Sequence, residues 1–160
     1  NGKMSEAQAG LALLSLAELE SNIAANRQRH MIYQQRLGEL PGLRLLTPAT
    51  DDTSNYQYVT VVIDSERAGL CRDQLARLLD AENIICRRYF EPGTHRLPPY
   101  RDDPALRVLS LPVTERLCRD VLVFPNGTPM TEDDVSKICD VVEALLAQAP
   151  ALRAKLEQVA

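Results

Sequence analysis

The sequence predicts an α/β domain of the α+β type, in which helices pack against a small mixed or antiparallel sheet and a long helix lies at the N-terminus. Three observations support this class. Apolar residues recur at helical spacing over residues 5–40 and again after Thr131, whereas residues 56–63 form a β-branched and aromatic run typical of a strand. The chain has 160 residues, 45% of them hydrophobic, so it is long enough for one domain (1–160) with a substantial core.

Residues 1–40 are predicted to form a long helical N-terminal segment that is bent or broken midway. Ser5 and Gln8 have the spacing of a capping box, which favours a helix start at this point. The segment ends at Pro41-Gly42, because proline has no N–H to donate and glycine adopts the left-handed backbone that closes a helix.

The α/β core is expected over residues 41–149. It begins with a short strand at residues 43–46, followed by the stronger strand at 56–63. Apolar side chains then share one helical face within residues 69–83, and residues 84–87 form a short apolar run. We therefore predict a strand, helix, strand unit at the centre of the domain.

The second half of the core contains a long loop. Residues 88–103 carry aromatic residues and prolines with little periodicity, and loops of this kind often hold functional residues. A short helix from Pro112, a strand at 121–124 and a helix capped by Thr131 are predicted next. A proline interrupts the last helix before a terminal helical tail, residues 150–160.

The charge and hydropathy of the chain argue against two classes of partner. Its net charge of −4 disfavours a nucleic-acid surface, which needs clustered Lys and Arg to displace counterions. No apolar run approaches the roughly 20 residues that span a bilayer, and no signal peptide is evident. We therefore expect a cytoplasmic protein with no nucleic-acid and no membrane partner.

Four cysteines are spread along the chain among apolar residues, at Cys71, Cys86, Cys118 and Cys139. Their spacing lacks the Cys-x-x-Cys pairs and nearby histidines that hold zinc, and the acidic runs lack the ligand spacing of a calcium loop. We expect buried free thiols and no metal site. The sequence also contains no Gly-rich phosphate loop, Gly-x-Ser-x-Gly or His-Glu-x-x-His motif, which argues against P-loop NTPases, α/β-hydrolases and zincins.

Four short motifs occur in an order that resembles the DegT/StrS-type sugar aminotransferases. The first ten residues are similar to the family pattern Asn-x-Arg-Met-Ser/Thr-Glu-x-Gln-Ala-x-x-Gly. The other three motifs are Arg88-Tyr89-Phe90-x-Pro92-x-x-His95, Leu111-Pro112-x-x-Glu115 and Val121-x-x-x-Pro125-x-Gly127. With the central strand-helix-strand unit, the resemblance covers most of the chain.

The resemblance implies the C-terminal small domain of a fold-type I aminotransferase that uses pyridoxal 5'-phosphate (PLP). The parent enzyme would be a homodimer that transfers an amino group from an amino acid, expected to be glutamate, to a keto sugar nucleotide. The reactive half would lie upstream, because none of Lys3, Lys137 and Lys155 resembles the lysine that binds the cofactor. The chain alone is therefore expected to be an inactive fragment with no catalytic residue and no bound PLP.

Two residues of the first motif are assigned to the cofactor by the resemblance. Asn1 matches an asparagine that reaches the PLP phosphate of the partner subunit, where an amide can donate to an anionic oxygen. Lys3 stands where the family more often has arginine, and either cation complements a phosphate, although lysine lacks the bidentate fork. The competing interpretations are a poorly ordered terminal residue for Asn1 and a solvated surface lysine for Lys3.

The long loop supplies the substrate residues that the resemblance implies. His95 could donate to a sugar hydroxyl or a phosphate, Arg88 could meet the diphosphate, and Tyr89 and Phe90 could pack beside the substrate. The alternatives are a loop-stabilising histidine, a surface charge and core packing. The other histidine, His30, is predicted to lie on a solvated helix face.

A second function, from a different class, is compatible with the same fold. The chain could be a non-catalytic domain that binds a ligand or a regulatory partner. The two functions differ in whether a lysine-bearing PLP domain belongs to the same polypeptide.

Overall fold

The computed structural model describes residues 2–49, 52–107 and 110–158. In chain order, its elements are α1 (Glu6–Ala17), α2 (Leu19–Leu37), β1 (Leu43–Leu45), β2 (Val59–Ile63), α3 (Ser65–Ala68), α4 (Arg72–Ala81), α5 (Pro104–Arg107), α6 (Pro112–Asp120), β3 (Val121–Phe124), α7 (Glu132–Ala147) and α8 (Ala149–Gln158). Two 3₁₀ turns, at Thr94–Arg96 and Tyr100–Asp102, lie in the long loop. The mixture of helices with a small sheet confirms the predicted fold class.

The sheet is antiparallel, with β2 between β1 and β3. Leu43 pairs with Ile63 on one side of β2, and Val59 pairs with Phe124 on the other side. Alternate residues of β2 are fully buried, as expected of a strand with one face on the core, whereas all four residues of β3 are buried. The antiparallel form of the predicted sheet is therefore the one that occurs.

The core lies between the sheet and three helices, α2, α4 and α7. Each fully buried aliphatic or aromatic side chain stabilises the fold by about 1.5–3 kcal/mol, because its apolar surface leaves water. The completely buried members are Tyr33, Leu37, Val59, Val61, Leu75, Leu79, Leu122, Val135, Cys139 and Val142. These residues come from both halves of the chain, so the core joins the N-terminal helix α2 to the C-terminal helix α7.

The predicted N-terminal helix is broken at Glu18, where α1 ends and α2 begins. The capping box at Ser5 and Gln8 forms as predicted. After α2, Gly42 has φ +80°, and a Cβ at that position would lie 2.3 Å from the backbone nitrogen of Ala68. Helix α2 ends at Leu37, before the stop predicted at Pro41-Gly42. Gly42 is needed both for its backbone angle and for the close approach of α3.

The central strand is shorter than predicted, because it begins at Val59 rather than at Tyr56. Tyr56 has φ +52°, which is incompatible with a continuous strand. Its carbonyl accepts a hydrogen bond from Nδ2 of Asn126 at 2.8 Å instead of joining the sheet. The aromatic run thus predicted the strand but not its first residue.

The strand predicted at residues 84–87 was wrong apart from a single pair. Arg87 exchanges two backbone hydrogen bonds with Val123, of 2.8 and 2.9 Å, at the free edge of β3. Asn83 turns the chain with φ +59°, and Ile85 is 67% exposed, so this apolar run buries no continuous face. The segment therefore enters the long loop directly after one bridge.

The C-terminal helices follow the predicted signals. The side chain of Thr131 accepts from the backbone N–H of Asp134, and Asp134 accepts from the N–H of Thr131 in return. The predicted break falls between α7 and α8, with Pro150 in the first turn of α8. Among the described helices, none is long and apolar enough to cross a membrane.

All four cysteines are free, as predicted, but only Cys139 is buried. Cys86 and Cys118 are half-buried, and Cys71 is exposed at the start of α4. Burial raises the pKa of the Cys86 thiol to about 12. Within the described ranges no group of His, Cys, Asp and Glu is placed to hold a metal ion.

The solvated position predicted for His30 was also wrong, since the side chain is buried against Tyr56 with ring centroids 5.4 Å apart. Its neighbour Arg29 is buried as well and donates to Oδ1 of Asn126 at 2.8 Å and to the carbonyl of Met130 at 3.1 Å. The polar part of α2 around Arg29 and His30 is therefore covered by two loops, one that contains Tyr56 and one that contains Asn126 and Met130.

Candidate functional site

The predicted substrate residues are gathered in one loop, residues 88–103, which leads from the Arg87 bridge to α5. Arg88, Tyr89 and Phe90 begin the loop, and His95 lies in its first 3₁₀ turn. The structure thus brings these four residues into one short segment at the edge of the sheet.

The two residues assigned to the cofactor lie elsewhere in the chain. Lys3 is exposed ahead of α1, and Asn1 lies outside the described residues. Their role toward a cofactor phosphate stays a prediction.

A buried arginine anchors the start of the loop. Arg72, the first residue of α4, is only 2% exposed, and its Nη1 donates to the carbonyl of Val121 at 3.1 Å. Its Nε donates to Oδ1 of Asp73 at 2.8 Å, and its Nη2 forms an ion pair with Glu91. A buried guanidinium is stable only when its donors are paired, so Arg72 joins α4, β3 and the loop into one unit.

Arg88 is held by the same cluster. Its Nε lies 3.2 Å from Oδ1 of Asp73, the atom that also accepts from Arg72. The Arg88 side chain remains 47% exposed. Its guanidinium is therefore positioned by α4 while one side stays open to an anionic group.

His95 is oriented by a carboxylate from α6. Its Nε2 lies 2.6 Å from Oε1 of Glu115, and Arg96 binds the same carboxylate through Nε at 2.9 Å and through Nη2. These bonds, first that of His95 and then those of Arg96, lower the pKa of Glu115. An ionised carboxylate can only accept, so Nε2 of His95 carries the proton in this pair.

Aromatic side chains form a surface beside the loop. The rings of Tyr89 and Phe90 are stacked with centroids 5.0 Å apart, and Tyr58 packs edge-on against Tyr89 at 5.9 Å. Nη1 of Arg87 donates to the Tyr89 hydroxyl at 2.9 Å, which fixes that ring. Phe90 is 70% exposed, so a flat apolar face remains available to a ring of a ligand.

Three residues that hold the loop in place were not predicted from the sequence: Glu115, Arg72 and Glu91. Glu115 stands in a family motif, so its position was visible while its contact with His95 was not. Arg72 and Glu91 gave no signal, because a pair separated by 19 positions has no local pattern.

The three lysines of the chain lie at its surface in the structure. Lys3 and Lys155 are exposed, and Nζ of Lys137 pairs with Asp133 at 2.5 Å on a surface of α7. A Schiff-base lysine must face a pocket that holds the cofactor ring. That the covalent lysine of the PLP site lies outside this chain stays a prediction.

Comparisons with known proteins agree on one family. Residues 1–143 match the DegT/DnrJ/EryC1/StrS aminotransferase family. The chain is similar to the dTDP-4-amino-4,6-dideoxy-D-glucose transaminase of Escherichia coli, with 33% identity over 138 residues, which are 86% of this chain and 37% of that enzyme. It therefore spans little more than a third of the relative's length.

Solved structures give the same result. The crystal structure of DesI with its TDP-sugar product matches with a TM-score of 0.88 and 38% identity over 98% of this chain and 39% of that one. DesV of S. venezuelae in complex with a ketimine intermediate matches with a TM-score of 0.78 and 27% identity over 90% and 37% of the two chains. The enzymes of this family depend on PLP. The chain belongs to the DegT/DnrJ/EryC1/StrS aminotransferase family.

Proposed function

We propose that this chain is the C-terminal domain of a PLP-dependent aminotransferase that transfers an amino group from an amino acid, glutamate in our proposal, to a keto sugar nucleotide. The observation that carries the proposal is the family match over residues 1–143, together with relatives named for dTDP- and TDP-linked sugars. The parent is a cytoplasmic homodimer in this proposal. Its division into a helical segment (1–40), a core (41–149) and a tail (150–160) belongs to the same proposal.

The 88–103 loop is the part of the domain that meets the sugar nucleotide. Arg88 offers a guanidinium to the diphosphate, because its side chain remains 47% exposed while Asp73 holds its Nε. Tyr89 and Phe90 offer stacked rings to the sugar or the base. His95, held by Glu115, donates to a sugar hydroxyl or a phosphate oxygen when the pair opens toward substrate.

The first motif contributes to the cofactor site of the other subunit. Asn1 donates its amide to the PLP phosphate of the partner, and Lys3 supplies a positive charge nearby. PLP, when bound in the parent, provides the electron sink for amino transfer. The residues of this chain bind and orient the phosphate and the sugar nucleotide, and the chemistry itself belongs to the upstream half.

The proposal is tested on the full-length gene product. Incubation with dTDP-4-amino-4,6-dideoxy-D-glucose and 2-oxoglutarate should release glutamate, and the absorption spectrum should show bound PLP. A protein with PLP that leaves this sugar unchanged would overturn the substrate part of the proposal. A protein that neither binds PLP nor converts the sugar would overturn the proposal that the parent is an enzyme. It would favour the non-catalytic, ligand-binding domain.

A further inference from the structure

Arg87 lies between the edge of the sheet and the aromatic surface formed by Tyr58, Tyr89 and Phe90. Its backbone exchanges two hydrogen bonds with Val123, of 2.8 and 2.9 Å, so its position relative to β3 is fixed. The residue is exposed, and its Nη1 donates to the Tyr89 hydroxyl at 2.9 Å. The sheet therefore holds a guanidinium at the point where the long loop begins.

The guanidinium of Arg87 differs from its neighbours in having no acidic partner. Asp73 lies against Arg88, and Glu115 binds Arg96, so the charge of each of these two arginines is offset. The described residues give the Arg87 side chain one hydrogen-bond partner, a neutral tyrosine hydroxyl. Its positive charge therefore remains available to an anionic group from outside the domain.

A cleft of about 400 Å³ opens beside this guanidinium. Tyr58, Pro125 and Met130 line it together with Arg87. Tyr58 is 52% exposed and packs edge-on against Tyr89, so its ring stands at the cleft without being part of the core. The cleft thus offers an aromatic wall to a planar ring and a cation to an anion.

We propose that Arg87 and Tyr58 bind the nucleoside diphosphate part of the sugar nucleotide, with the guanidinium on the diphosphate and the tyrosine ring against the base. This site rests on the proposed function, because it specifies which residues meet which part of that substrate. A nucleoside diphosphate joins a planar base to an anion, and these are the two features that the cleft complements. Arg87 thereby adds to Arg88 a second guanidinium, one whose charge no described carboxylate offsets.

The test measures the affinity of the full-length protein for dTDP and for thymidine by isothermal titration calorimetry. Arg87→Met should weaken dTDP binding about tenfold and leave thymidine binding unchanged, because only dTDP carries the charge that Arg87 pairs with. Arg87→Lys keeps the charge and should lose less. The control is Arg44→Met, which changes an exposed arginine on β1 at the opposite edge of the sheet and should leave dTDP binding unchanged.

The aromatic part of the site has its own variant. Tyr58→Leu removes the ring that faces the base, so dTDP and thymidine should both bind about fivefold more weakly. Tyr58 and Arg87 are both exposed, so these substitutions leave the core intact, and circular dichroism checks the fold of each variant.

PLP also joins a ring to a phosphate, so the absorption spectrum of each variant measures its cofactor content, which should not change. A loss of PLP in Arg87→Met with unchanged dTDP affinity would assign the residue to the cofactor and overturn the proposal. An equal loss for thymidine and dTDP in Arg87→Met, or a natural protein that does not bind dTDP, would overturn it as well. A protein that binds dTDP through Arg87 but transfers no amino group would instead contradict the proposed function and leave this site in place.

Discussion

The 2.6 Å contact between Nε2 of His95 and Oε1 of Glu115 defines the chemistry available to the loop. It sets the protonated nitrogen of the ring, and it lowers the pKa of the acid. Arg96 adds a cation to the same carboxylate, so the three side chains form one hydrogen-bonded cluster. A ligand that binds His95 must therefore compete with Glu115 for the Nε2 proton.

We expect His95→Ala in the complete enzyme to raise KM for the sugar nucleotide or to lower kcat. In the proposed site the change removes a donor to the substrate and leaves the upstream cofactor site untouched, so PLP should remain bound. Steady-state kinetics and the cofactor absorption spectrum check both parts. Unchanged kinetics would remove His95 from the substrate site and leave it with a loop-stabilising role.

His30 is a buried group whose protonation is linked to folding. Burial lowers the pKa of His30 from its ordinary value of 6.5, in spite of a backbone hydrogen bond with Leu46 that acts in the opposite direction. The unfolded chain therefore binds a proton more readily than the folded one. The contribution of His30 to the free energy of unfolding is complete above the pKa that the group has in the unfolded chain. It is lost as the pH falls below that value.

The free energy of unfolding of the 160-residue chain should therefore decrease between about pH 7.5 and about pH 5.5. His30→Gln removes the titrating group, so its unfolding free energy should vary less over the same range. Urea denaturation at several pH values measures both curves. Two parallel curves would show that His30 does not contribute to the pH dependence.

Helices α1 and α7 start with the same kind of cap but differ in how many of their residues are buried. Ser5 and Gln8 form a capping box at α1, and Thr131 and Asp134 form one at α7. Helix α1 has no buried residue, whereas α7 places Val135 and three further residues in the core. Packing rather than capping therefore decides which of the two helices is part of the cooperative fold.

Thr131→Ala should lower the free energy of unfolding by about 1 kcal/mol, because it leaves the N–H of Asp134 without its acceptor. The matched variant, Ser5→Ala, should change it by less than about 0.3 kcal/mol, since α1 can fray without opening the core. Urea denaturation followed by circular dichroism compares the two. An equal loss in both variants would mean that α1 unfolds together with the core.

For the whole molecule, several of the most exposed apolar side chains among the described residues lie on α1. Leu11, Leu13, Leu14 and Leu16 are each between 63% and 68% exposed. Exposed apolar side chains grouped on one helix in this way favour association. Within the 160-residue chain, no part of the described core covers this helix.

The isolated chain should therefore form a dimer or a larger oligomer, measured as mass by light scattering at high concentration. Leu14→Glu should shift the mass toward the monomer, because it places a charge on the associating surface. The control is Ile85→Glu, which changes a residue of equal exposure, 67%, away from α1 and should leave the mass unchanged. A monomeric mass for the unmodified chain would contradict the prediction.

Local signals in the sequence determined the elements of this protein. Capping residues, glycine and proline at helix ends, and the run of β-branched residues act within a few positions, so the starts of α1 and α7 and the existence of β2 were predicted correctly. The order of four motifs along the chain was also sufficient to indicate the family, because each motif is a short run of neighbouring residues.

Only the tertiary structure decided which polar side chains are buried and which residues meet. Arg29 bonds to Asn126 across 97 positions, and Arg72 reaches Val121 across 49. Such pairs have no periodicity, because they depend on how separate elements pack rather than on the neighbours of each residue in the chain. His95 was predicted as a site residue because it lies in a short motif. Its contact with Glu115 was not predicted, because that contact depends on how the loop packs against α6.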